Sequence, residues 1–135
     1  MNPAGASVMT LYLVLIRSFT YCMKKKFTVL SIHFVDPTTP ENFQLTSISP
    51  SPEVLLHWTP NSEVDLNGYK IYGGTLENAS ELIATVPGSA IRFVHKELLW
   101  DKRYYYQISA IDLSGNDSTP TQILSIIFNS NQKKI

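Results

Sequence analysis

From Pro37 onward, short segments of alternating apolar and polar residues are separated by turn-forming clusters. The clusters fall at 37–40, 47–52, 59–62, Asn67-Gly68, Gly73-Gly74, 87–89 and 112–116, and they are rich in Pro, Gly, Asn, Asp and Ser. Alternation with a period of two gives a strand one buried face and one wet face. The pattern predicts strands over residues 43–48, 53–58, 82–86, 91–95, 104–111 and 122–128, with a further strand opening at 69–72. Short strands at this spacing predict an all-β sandwich or barrel. No segment beyond 37 carries a helical stripe, although 97–100 has room for one short turn.

The phase of each strand names the expected core. Val54, Leu56 and Trp58 share one face, with Leu55 and His57 on the other. Tyr69 and Ile71 point inward, as does Phe93. Tyr104, Tyr106, Ile108 and Ala110 form the inward face of the long strand, opposite Tyr105, Gln107, Ser109 and Ile111. Residues 65–68 read as a tight corner in which Asn67-Gly68 tolerates positive φ. Gly73-Gly74 reads as a bend in a strand.

The first 35 residues differ in texture. They hold two apolar runs, 8–16 and 27–35, separated by Arg17 and Lys24-Lys25-Lys26. Neither run reaches the about 18–20 apolar residues of a membrane-spanning helix, so no stable span is expected. Three readings stay open: a degenerate export signal with its start at Met1 or Met23, a strand over 27–35 left from a preceding domain, or upstream sequence read through from a wrong start. Residues 1–36 are therefore an N-terminal extension, 37–128 a domain expected to fold alone, and 129–135 a polar tail.

Composition narrows the class. The chain has 135 residues, with Lys+Arg 11 against Asp+Glu 11 and a formal charge of zero. That balance argues against a polybasic nucleic-acid binder and against an acidic disordered tail. Hydrophobic residues are 44% and aromatics 11%, enough for a real core. The single cysteine, Cys22, forbids an internal disulfide and a cysteine-based zinc site.

Several motifs then resemble a known family. They are Pro37 to Pro40 with Leu45, Leu55-Leu56-His57-Trp58, and Asp65-Leu66-Asn67-Gly68-Tyr69-Lys70-Ile71-Tyr72. The last is Tyr104-Tyr105-Tyr106-Gln107-Ile108-Ser109-Ala110-Ile111-Asp112 followed by Gly115-Asn116-Asp117-Ser118. In this order and spacing, residues 37–126 resemble a fibronectin type III domain, nearer the bacterial extracellular version than the animal adhesion version. The resemblance implies an immunoglobulin-like sandwich of about seven strands in two sheets. It also implies a tyrosine corner at Tyr104, with Leu98 as the apolar residue beneath it.

Candidate chemistry is sparse. His33, His57 and His95 have no close metal-ligand spacing, so they read as surface histidines. The alternating polar run from Asp112 to Ser118 has something of a calcium loop. Its glycine is at the fourth position rather than the sixth, however, and Ile123 stands where a bidentate Glu belongs. A hydrogen-bonded turn suits it better. Glu53, Glu63, Asp65 and Asp101 lie on expected loops and corners rather than across a cleft, the arrangement a glycosidase pair needs. There is no nucleophile elbow, Walker A loop or G-x-G-x-x-G. Asn78-Ala79-Ser80 and Asn116-Asp117-Ser118 are glycosylation sequons, which short polar loops also produce by chance.

Trp100, Tyr72 and Tyr105 fall outside the inward faces. They are the possible ligand contacts, by stacking on sugars or anchoring a protein. The plainer reading packs Trp100 beneath a loop and makes Tyr72 and Tyr105 cross-strand surface neighbours.

The expectation is a non-catalytic, extracellular or cell-surface module that spaces or presents other domains, with no catalytic, metal or cofactor residues. The alternative is a carbohydrate- or protein-binding module acting through exposed aromatics and loops. Such a module would be a monomer whose partners are other domains or proteins of an extracellular assembly, or a polysaccharide, and not nucleic acid.

Overall fold

The computed structural model describes residues 35–132. Seven strands follow one another: β1 Glu41–Ile48, β2 Glu53–Thr59, β3 Leu66–Gly74, β4 Glu81–Pro87, β5 Arg92–His95, β6 Arg103–Asp112 and β7 Leu124–Ile127. They form two antiparallel sheets, one ordered β1-β2-β5 and one ordered β4-β3-β6-β7. This is the expected all-β, immunoglobulin-like sandwich.

The inward faces follow the alternation. Val54, Leu56 and Trp58 of β2 meet Tyr69 and Ile71 of β3 and Tyr104, Tyr106, Ile108 and Ala110 of β6, all buried. Burial of the larger aliphatic side chains among them contributes roughly 1.5–3 kcal/mol each. The Trp58 and Tyr69 rings pack edge to face at 5.2 Å, a favoured aromatic geometry. Phe93 is a partial departure. It packs against the core but is only half-buried, because β5 is a short edge strand with one open side.

Three local expectations are corrected. The corner between β2 and β3 turns at Val64-Asp65, and Asn67-Gly68 lie inside β3 with ordinary φ. Gly68 is needed for space instead: a Cβ there would collide with the Val86 carbonyl oxygen of β4. Residues 97–100 form no helical turn. They cross between the sheets, pinned where the Leu98 N–H donates to the Pro52 carbonyl at 3.2 Å. The last strand is shorter than 122–128: it pairs with β6 only over Leu124–Ile127. Before β7 the chain holds β6 through backbone and hydroxyl together: Ser118 and Thr121 donate their N–H groups to the Ala110 and Ile108 carbonyls, and their Oγ and Oγ1 accept the Ala110 and Ile108 N–H groups at 2.9 and 3.1 Å.

At Gly73 a Cβ would stand 2.6 Å from the Tyr106 ring, so the glycine makes room for that ring, while Gly74 supplies the positive φ. Phe128 is buried just beyond β7, and the Ser130 N–H donates to Asp101 Oδ1 at 2.9 Å. The readings of residues 1–34, including the strand over 27–35 and His33, lie outside the described residues. Val35 is exposed and in no strand.

Candidate functional site

The candidate residues fall into four groups. The rings come first. Trp100 is half-buried and packs against the core, so it is not an open stacking platform. Tyr72 and Tyr105 are half-buried on the outward face of the four-stranded sheet. Tyr72 pairs with Gln107 and Gly74 with Tyr105, which sets the two rings diagonally along that face. Gln107 Nε2 donates to the Asn78 and Ala79 carbonyls at 3.3 and 3.1 Å, folding the β3–β4 loop onto the sheet and burying Ala79.

The carboxylates divide between the two ends of the sandwich. Glu53 opens β2, and Asp101 lies in the β5–β6 connection at the same end. Glu63 and Asp65 follow β2 at the opposite end. Asp101 holds its carboxyl below the usual range because Ser130 hydrogen-bonds it. Desolvation raises the Glu63 carboxyl, but hydrogen bonds from Asn61 and Thr38 outweigh it and the net shift is downward. Asn61 Nδ2 reaches Glu63 Oε1 at 2.9 Å and the Thr38 carbonyl at 2.7 Å, and its N–H donates to the Tyr69 hydroxyl at 2.7 Å. This network ties the entering chain to the core, and its signal in sequence was weak because Thr38 and Glu63 are 25 residues apart.

The β6–β7 loop is organised around Asp112. Its Oδ1 accepts the N–H groups of Ser114 and Asn116 at 2.9 and 2.8 Å, and its Oδ2 accepts Asn116 Nδ2 at 2.9 Å. These bonds, from the Asn116 side chain first, hold the carboxyl below its ordinary value. The Leu113 N–H donates to the Asp65 carbonyl at 2.8 Å, stitching the two loops of this end together.

Two histidines are described. His57 is half-buried on the outward face of β2. His95 is also half-buried, but on the inward side of β5. It pairs across from buried Val54 and points between the sheets, its Nδ1 lying 2.9 Å from the Tyr106 hydroxyl. The two rings meet edge to face at 5.8 Å. The signal was available in sequence: if Phe93 faces inward, so does the residue two positions on. Burial holds the imidazole below its ordinary value.

An unfolded chain takes up a proton on this histidine near pH 6.5. The folded one resists it until lower pH. Stability is therefore fully present above about pH 6.5 and declines as pH falls below it toward the depressed folded value. Urea midpoints should drop between about pH 7 and pH 5. His95→Gln, which retains a hydrogen-bonding group, should flatten that slope. A wild-type slope unchanged in the variant would rule out His95 as its source.

The tyrosine corner is in place. The Leu99 N–H donates to the Tyr104 hydroxyl at 3.0 Å, with Leu98 buried beneath. Tyr104→Phe is expected to cost about 1–2 kcal/mol, one buried hydrogen bond with its orphaned N–H. Tyr105→Phe, on the outward face, should be close to neutral in the same thermal melts. Equal losses would contradict the corner.

A family model for the fibronectin type III domain matches residues 38–127. The chain is 34% identical over 94 residues to an amylopullulanase of Thermoanaerobacter thermohydrosulfuricus, covering 68% of this chain but 6% of that protein. Among solved structures, the Clostridium perfringens spore cortex lytic enzyme SleM is similar over 69% of this chain and 28% of its own, at 26% identity and TM-score 0.52. Domains FN1–FN3 of chicken CNTN1 match over 69% of this chain and 33% of theirs, at 22% identity and TM-score 0.61, a likeness of fold alone. The family match, together with the two-sheet order and the hydrogen-bonded Tyr104 corner, shows that the chain belongs to the fibronectin type III domain family.

Proposed function

We propose that this domain is a non-catalytic accessory module of an extracellular or cell-surface protein, spacing or presenting other domains. The observation that carries the reading is the proportion of the match: most of this chain corresponds to a very small part of a much larger amylopullulanase. A module of this kind needs a stable fold and exposed connections more than a reactive site. The carboxylates of Glu63, Asp101 and Asp112 are consistent with that role, since their hydrogen bonds commit them to holding chain segments in place. The partners would be neighbouring domains or proteins of the same assembly.

The second reading, a polysaccharide- or protein-binding module, is favoured by one observation: Tyr72 and Tyr105 share the outward face of the four-stranded sheet. Both readings meet one experiment. The purified chain is incubated with insoluble starch, cellulose, chitin and xylan, and assayed for release of reducing sugar. The spacer reading expects no depletion and no turnover. Retention lost in Tyr72→Ala or Tyr105→Ala would replace it with the binding reading. Turnover that follows the purified protein would overturn both.

A further inference from the structure

A sheet edge presents unpaired backbone donors and acceptors, and natural proteins usually blunt it with charge, bulges or cover. The sandwich has four edge strands, β1, β5, β4 and β7. Along one side β7 and β1 lie against each other. β1 is further interrupted by a register shift between Glu41 and Gln44, with Asn42 at φ 54. On the other side β5 is only 4 residues long and opens on Arg92.

The β4 edge carries such protection only at its two ends, Glu81 and Pro87, and at one bulge. It is 7 residues long, with no charged residue after Glu81. Among the described residues its sole partner is β3. Its one irregularity falls between its pairings with Ile71 and Tyr72, at Ile83, and leaves residues 84–87 in regular register. Leu82 is 51% exposed. The segment Leu82-Ile83-Ala84-Thr85-Val86 is rich in β-forming residues, the composition that favours strand addition.

The same segment is complementary to itself. Ala84 and Val86 pair with the buried Ile71 and Tyr69, so they lie on the inner side of the sheet, while Thr85 pairs with Lys70 on the outer side. A two-fold axis through Thr85 sets Ala84 opposite Val86 of a second copy and Thr85 opposite its equivalent. Inner residues stay with inner ones, and a Thr–Thr pair is a favourable cross-strand contact. A chain of zero formal charge adds no net repulsion between copies.

We infer that β4 is a strand-pairing edge whose occupant is a second copy of this chain, joined antiparallel about Thr85 into one continuous sheet. This departs from the monomer expected of a self-contained sandwich. The contact is short, so the dimer is weak and forms at high local concentration, such as a crowded surface where each copy also raises the other's effective concentration.

The test is sedimentation velocity of the full chain from about 5 μM to about 1 mM, around an expected dissociation constant of about 100 μM. Thr85→Lys places two like charges at the dyad and should raise that constant about tenfold or more. Thr46→Lys, on an exposed site of β1, should leave it unchanged. Thr85→Cys in a Cys22→Ser background should oxidise to a covalent dimer that Thr46→Cys does not form. That second readout holds even if the lysine variant folds poorly. A chain monomeric throughout, or a dimer indifferent to Thr85→Lys, overturns the proposal. Saturable binding of an unrelated extended peptide to a chain that remains monomeric would assign the edge to a foreign strand and overturn it equally.

Discussion

Trp58→Ala is expected to remove about 3–5 kcal/mol of stability, a large part of what holds this sandwich together. Trp58 is 4% exposed and closes the inward face of β2 above Tyr69. Truncation leaves a cavity that two sheets tied by backbone ladders cannot collapse to fill. A domain of this size has only about 5–15 kcal/mol in hand, so the variant should sit close to its unfolding transition at room temperature. The indole Nε1 is buried without a hydrogen-bond partner among the described residues. Trp58→Phe therefore forfeits volume but no hydrogen bond, and should cost only about 1–2 kcal/mol. Urea denaturation separates the two through their midpoints at constant m-value. A loss in Trp58→Ala no larger than in Trp58→Phe would mean that the indole is not a filler of the core.

Gly68→Ala is expected to cost about 2–3 kcal/mol, far more than a single methyl group would on the surface of a strand. The Cβ would strike the Val86 carbonyl oxygen, which is backbone and cannot rotate away. Relief requires β3 and β4 to part where Gly68 pairs with Pro87 and the Gly88 N–H donates to the Asn67 carbonyl at 3.0 Å. The Leu66 end of β3 is already irregular, since its register against β6 shifts between Leu66 and Gly68. Hydrogen exchange offers a sharp check: protection should fall first at the β3–β4 end near Gly88. A neutral Gly68→Ala would show that the strands can separate there without cost.

The two substitutions also mark how far the sequence could be read. Trp58 was legible because its face is set by the residues beside it: Val54, Leu56 and Trp58 alternate in one short strand. The same holds for Tyr104, Tyr106, Ile108 and Ala110 in β6. Gly68 was visible as a glycine after an asparagine, a pairing that usually marks a turn. Its actual role depends on the carbonyl of a residue 18 positions later, supplied by a neighbouring strand. Trp100 fits no strand phase, which by sequence makes it a possible ligand contact, yet the core also takes side chains from connections. For His95 the strand phase is a better guide than the residue type.

What the sequence by itself determined is the order of the strands, the face each one buries and the turn chemistry of the Asp112 loop, because these depend on residues within a few positions of one another. What only the tertiary structure decided is which strands lie side by side. That choice places His95 against Tyr106, makes Gly68 and Gly73 points of close approach, and sets β1 along the β7 side while β4 has β3 as its one strand partner among the described residues. The physical reason is that pairing between strands is non-local: its geometry is fixed by backbone hydrogen bonds and packing between segments that the periodicity of any one of them does not encode.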